Sequence, residues 1–427
     1  MTQMQTELAH DSSDALTALL DADIVPLPVL HERYGALLKL VKVLIGVVPN
    51  CDTYLEIWPP AFRTYNIVVP NFLNLPFGIF GIGGAPKDIV GLGIYVASRS
   101  AECPYCSAHT CSFAMRRGAT PEKVANALLG GENFTEKELA TIAVARSLAR
   151  IPCELSSSEK ADLLNCFTPS EAEWVVLGVV MMGFLNKFMD AIGVDLEAST
   201  VAETQAIMGA EWSPGKAGRR LDVAGHPTAP PVADGLFTKL SVLRHAPTAL
   251  RLDKQWQHGV PDSWPAVGTY LQGLTGHDFP VLSKMHNARG IRAVASALRE
   301  NLNAQTSTLG LDVKAMAGVV FASIIGDEQL ANDVRIIGAK HGLSAEQLDA
   351  LERYAQQGDG KPPANDAMVR AILLLTKAAS PSPAEINSDV VSACRDNKLS
   401  SPAIVELITW LSVLQMLHRL SCFYTVE

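Results

Sequence analysis

The chain has 427 residues, more than one hydrophobic core usually fills, and is 48% apolar with only 19% charged residues. That balance predicts extensive burial, subunit interfaces included, and two domains are the expectation. A net charge of −9 argues against nucleic acid or an anionic membrane surface as the main partner.

In chain order, "MTQMQTELAHDSSDAL" is polar and acidic and lacks the basic start and apolar core of a signal peptide. Residues 1–25 are expected to be a flexible N-terminus and the chain to be cytoplasmic, where thiols stay reduced and disulfides are catalytic or transient. Long Leu/Ala/Val-rich segments without internal proline follow, among them "RYGALLKLVKVLIGVV", "EKELATIAVARSLARI" and "PAIVELITWLSVLQMLHRL". Alternating strand patterns are scarce, so the fold class is all-α. The most apolar segment, "EWVVLGVVMMGFLNKFMD", has about a dozen uninterrupted apolar residues where a membrane span needs about 20, so a buried helix is expected. The glycines of "FGIFGIGGAPKD" fit neither the dinucleotide nor the phosphate-loop spacing and read as a flexible connection.

The densest chemistry lies in "AECPYCSAHTC", Ala101 to Cys111. Proline is favoured at the first helical position, which makes Cys103 the N-cap, Pro104 the first helical residue and Gly118 the stop. Cys103 and Cys106 then neighbour each other on one face and can close a disulfide. A helix start favours thiolate at Cys106. His109, one turn on, and Glu102, just before the pair, are the proton carriers to consider. Zinc is the competing reading, with Cys103, Cys106, His109 and Cys111 as ligands, but four ligands within nine helical residues do not converge on one tetrahedron. Cys111 reads as a small buried hydrophobe, and Cys51, Cys153, Cys166, Cys394 and Cys422 as dispersed core or surface thiols. Asn186, Lys187, Asp190, His418 and Arg419 read as polar ends of buried helices, with pocket lining as the alternative.

The chain also resembles itself. "MRRGATPEKVANAL" parallels "AKHGLSAEQLDAL", pairing Gly118 with Gly342 and Thr120 with Ser344, a glycine stop followed by a Ser/Thr cap. "GIYVAS" parallels "GVVFAS" at an offset of about 224 residues, as between Gly118 and Gly342, and further on "FLNKFMD" parallels "MLHRLSC". The expected organisation is a first helical domain over 26–210, a Pro/Gly/Ala-rich linker over 211–235 and a degenerate second repeat over 236–427. Opposite "AECPYCSAHTC" the second half has roughly "IIGDEQLANDV", without cysteine or histidine.

"VASRSAECPYCSAHTCSFAMRRGATPEKV" resembles the core signature of the alkyl hydroperoxidase D-like and carboxymuconolactone decarboxylase-like superfamily, over roughly Pro86 to Gly193. The resemblance implies an all-helical obligate oligomer. It also implies a peroxidase in which Cys106 attacks a hydroperoxide, Cys103 resolves the product as a disulfide, and a thiol or dihydrolipoyl system reduces it again. No metal, haem, flavin or nucleotide cofactor is implied. Two positions depart from the pattern: Thr110 stands where the family histidine belongs, with His109 one place earlier, and Val90 or Gly91 stands where the family has glutamate. The departures keep open a non-redox lyase or hydrolase of a small carboxylated or lactone substrate using His109, and a non-catalytic oligomeric scaffold.

Overall fold

Segments rich in helix formers, started by Ser, Thr, Asp or Pro and stopped by glycine, should become helices. A computed structural model of the chain describes residues 16–129, 133–209, 211–219, 229–358 and 360–426 and contains no strand among them. The fold is all-α. Four helices open it: α1 (Thr17–Leu20), α2 (Leu27–Ile45), α3 (Cys51–Leu55) and α4 (Pro59–Phe72). Next come α5 (Lys87–Ser100), α6 (Pro104–Arg117), α7 (Pro121–Asn126), α8 (Glu136–Ala149), α9 (Ser157–Cys166) and α10 (Pro169–Ile192). After α11 (Ala198–Met208), the second half begins with α12 (Leu236–Trp256), α13 (Ala266–Thr275) and α14 (Ala288–Asn301). It ends with α15 (Leu311–Ile325), α16 (Glu328–Lys340), α17 (Ala345–Gln356), α18 (Ala367–Ala379), α19 (Ser388–Asp396) and α20 (Ser401–Thr425).

The punctuation read from the sequence recurs in the structure. Thr120 and Ser344 cap α7 and α17 through their side chains, and Gly118 and Gly342 take φ of +107° and +93° just after α6 and α16.

The two longest helices, α10 and α20, pack lengthwise against each other at the centre. Both are long and apolar enough to cross a membrane, but 94% and 100% of their most apolar windows are buried within the protein. Each fully buried Leu, Val or Phe here contributes about 1.5–3 kcal/mol relative to exposure, which offsets the entropy of ordering the chain. The close approach needs a glycine: a Cβ on Gly183 of α10 would lie 2.9 Å from the Gln415 carbonyl of α20. Around this pair, α5 and α8 pack on α10, while α15 and α18 pack on α20. α14 lies on α4 and α12 on α2, so the stretches on either side of residues 211–235 share one continuous apolar core.

Two expected loose regions are partly built into the fold. Leu16 and Leu20 are fully buried, so order begins before residue 25, while residues 1–15 lie outside the described residues. Of the expected linker, residues 220–228 lie outside the described residues. Its flanks are docked by charge: Lys216 lies 2.6 Å from Asp190, and Asp234 pairs with the buried Arg117. Partnered charges inside a fold hold a segment where apolar periodicity is too weak to do so.

Candidate active site

Because proline cannot donate a backbone hydrogen bond, α6 starts at Pro104 and leaves Cys103 extended as its N-cap, at φ −92° and ψ 102°. The Cys103 Sγ accepts the Cys106 N–H at 3.3 Å, a position usually filled by a hydroxyl or carboxylate oxygen. Both residues are free, buried cysteines, with their thiols in hydrogen-bonding reach of each other. The sequence-predicted pair is therefore brought together.

Its electrostatics differ from expectation. The helix start was expected to favour thiolate at Cys106. Instead, burial pushes the Cys106 thiol well up, and the neighbouring Cys103, then Asp190 and Cys51, push it further. Desolvation by the surrounding protein outweighs the helix terminus, and the Cys106 N–H is directed at Cys103. Cys106 is a thiol at rest and needs a base to react.

His109 sits one turn further along α6, its Nε2 2.8 Å from Glu197 Oε2. Glu197 opens α11 and is itself held: it accepts the Asn50 N–H at 2.6 Å, the Tyr105 hydroxyl at 3.1 Å and the Thr200 hydroxyl at 3.2 Å. Burial works against its ionisation, but His109 beside it and the Asn50 N–H outweigh burial and keep the carboxyl below the usual range. An anion so placed orients the imidazole. The Tyr105 ring lies 4.6 Å from the imidazole, and its hydroxyl, with that of Tyr65, is in reach of the buried Cys51 thiol.

Cys106, His109, Tyr105, Tyr65 and Cys51 line a cavity of about 140 Å³. The rest of its lining is mostly aliphatic and sulfur-bearing side chains of α2, α4 and α10, Leu37, Leu44, Val69, Met181 and Met182 among them, with Trp256 of α12. Cys103 does not line it and borders instead, with Asp190 and Lys216, a separate cleft of about 10 Å³. A guest in the cavity meets Cys106 first, with Cys103 behind it.

Glu102 is not part of this arrangement. It is exposed at φ +52° and lines a separate surface depression with Arg99, Arg146 and Glu154. Nor does a carboxylate fit at Gly91, where a Cβ would lie 2.9 Å from the Ala114 Cα because α5 and α6 touch through their backbones. Val90 is half-buried and packs at Gly178. The carboxylate beside His109 thus comes from a residue almost a hundred positions later in the chain, with no local motif to signal it. Thr110 bonds back to the Cys106 carbonyl at 2.6 Å and is part of the helix wall.

Asn186, Lys187 and Asp190 of α10 each bind backbone. Lys187 donates to the carbonyls of Ala379, Ser380 and Pro381, and Asp190 accepts the Ala384 N–H at 2.6 Å, tying α10 to the segment after α18. Asn186 donates to the Ala97 carbonyl at 3.3 Å. Among the described residues, no group of three or more His, Cys, Asp or Glu side chains is arranged to hold a metal ion. Neither the protein-family models nor the curated proteins contain a match to this chain.

Proposed function

We propose that the chain is a CxxC-dependent peroxidase acting on apolar hydroperoxides. The observation that carries the reading is the shared cavity: Cys106 and His109 line the same apolar space, and Glu197 is seated on His109. His109 takes the Cys106 proton. The thiolate attacks the O–O bond of ROOH, a sulfur–oxygen bond forms, and the alkoxide leaves as ROH with that proton. Cys103 then attacks the Cys106 sulfenic acid, the S–S bond forms and water leaves. An external dithiol, of the thiol or dihydrolipoyl class, restores both thiols by exchange. The mostly apolar lining favours an alkyl or lipid-like R group over a polar one.

The finer fold reading belongs with this function. α5 to α10 and α15 to α20 follow one another in the same order, each set ending in its longest helix, which supports duplication of an alkyl hydroperoxidase D-like helical unit. Cytoplasmic location and assembly into a homo-oligomer are part of the same proposal.

Reduced protein mixed with stoichiometric cumene hydroperoxide should form a Cys103–Cys106 disulfide within the dead time of manual mixing, as read by peptide mapping. Cys103→Ser and Cys106→Ser should each abolish it, and free thiols at both positions in intact wild-type protein would sink the reading. A second reading draws on the protonated state of Cys106: the His109–Glu197 pair as acid–base catalyst of a non-redox lyase or hydrolase on a small carboxylated substrate. Turnover of such a substrate retained in Cys106→Ser and lost in His109→Gln would favour it.

A further inference from the structure

Two cysteines that look unrelated in sequence meet in space. Cys153 follows α8 in the first half, Cys422 lies in the last turns of α20, and their thiols are in hydrogen-bonding reach of each other. Both are only partly buried, unlike Cys103 and Cys106. The Cys422 Sγ lies 3.7 Å from both ring nitrogens of His418, one turn earlier on α20. His418 Nδ1 is in turn 2.7 Å from Asp327 Oδ2, whose other oxygen caps α16 at the Leu330 N–H. His418 thus stands between the Cys422 thiol and the Asp327 carboxylate, placed to take a proton from Cys422. Beside them lies Arg419, buried, donating to the Val179 and Ala149 carbonyls and leaving its Nε without a partner.

We propose that Cys153 and Cys422 are a second redox-active dithiol, separate from Cys103 and Cys106, in which Cys153 is the nucleophile, Cys422 resolves, and hydrogen peroxide or a comparably small hydroperoxide is the oxidant. The roles follow from the surroundings. The Cys422 thiol beside it, with the Leu155 N–H, His418 and Arg419, brings Cys153 down to about 7 against the opposing effect of burial. The proton stays on Cys422, which Cys153, burial and Asp327 all push up. The Cys153 thiolate attacks the peroxide, a sulfur–oxygen bond forms as the O–O bond breaks, and the leaving hydroxide or alkoxide takes a proton from solvent to depart as water or alcohol. His418 then takes the Cys422 proton, Cys422 attacks the Cys153 sulfenic acid, and the S–S bond forms as a second water leaves with the His418 proton. Overall, two thiols and one hydroperoxide give one disulfide, one alcohol or water, and one water. The product staples α20 to the segment after α8 and so links the two halves covalently.

The test uses the full-length Cys103→Ser/Cys106→Ser chain, treated with hydrogen peroxide and mapped under non-reducing conditions. The expected result is a Cys153–Cys422 cross-linked peptide. In Cys422→Ser on that background, dimedone should label Cys153. In Cys153→Ser, it should leave Cys422 unlabelled. His418→Asn should slow closure roughly 100-fold. Asp327→Asn, which keeps the α16 cap, should slow closure while leaving the melting temperature unchanged. Full alkylation of both cysteines after peroxide would overturn the proposal, as would dimedone labelling of Cys422 in place of Cys153. If circular dichroism shows the double-Ser background unfolded, the same mapping on wild-type protein decides, because the two disulfides give different peptides. A Cys153–Cys422 bond without a Cys103–Cys106 bond would defeat the peroxidase proposal and leave this one standing.

Discussion

Two helix starts, those of α6 and α16, use the same architecture with the chemistry exchanged. At α6 the cap is a sulfur, Cys103, and the facing end of α10 supplies a carboxylate, Asp190, which lines the same small cleft. At α16 the cap is a carboxylate, Asp327, and the facing end of α20 supplies His418 and, one turn on, the sulfur of Cys422. The first thiol pair shares one buried helical turn. The second joins the two halves of the chain at a partly exposed site, where a cation and an S–H neighbour favour thiolate. The lesson concerns desolvation: at the start of α6, burial of the thiol outweighs what the helix terminus offers. In a dry interior the surrounding groups decide.

The largest effect that could break this contrast is in turnover. Cys106→Ser should reduce hydroperoxide turnover to the uncatalysed rate, while Cys422→Ser leaves it in place, as measured by coupled consumption of cumene hydroperoxide. Equal losses would merge the two sites into one. Next, Glu197→Gln should cost about 100-fold in kcat/KM, with Glu197→Asp recovering part of it because the charge beside His109 returns. A packing role alone would give the opposite order, since Gln keeps the shape and Asp does not. Smaller, and sharper as a comparison, is alkylation by iodoacetamide as a function of pH. Cys153 should show a midpoint near pH 7, which rises in Cys422→Ala, while Cys106 in the folded protein stays slow throughout the neutral range.

The smallest effect concerns Asp52, a buried carboxyl next to the cavity wall with neither oxygen hydrogen-bonded. Burial, then Glu197 and Glu56, raise its pKa well above the unfolded value of about 3.9. The folded chain therefore keeps a proton that the unfolded chain releases. The stability tied to Asp52 is full below about pH 4 and is lost as pH rises toward the folded pKa. Asp52→Asn should thus raise the melting temperature by roughly 2 °C at pH 8 and leave it nearly unchanged at pH 4. A gain at pH 4 as large as at pH 8 would show that the carboxyl is not held protonated.

Much of the frame was legible in residues taken one neighbourhood at a time. Pro104 and Gly118 bound α6, Thr120 and Ser344 cap the next helices, and the spacing of Cys103, Cys106 and His109 puts each within one turn of the next, because backbone sterics and caps act over a few residues. What the sequence could not reveal depends on contacts between distant segments. Glu197 beside His109, the union of Cys153 with Cys422, and the shared core that joins both halves have no local pattern behind them. The protonation of Cys106 belongs with these, since the sulfur's hydration is set by every helix packed over it. Local chemistry determined where the thiols and caps lie along the chain. Only tertiary packing decided which of them stay dry, which find a carboxylate, and which meet.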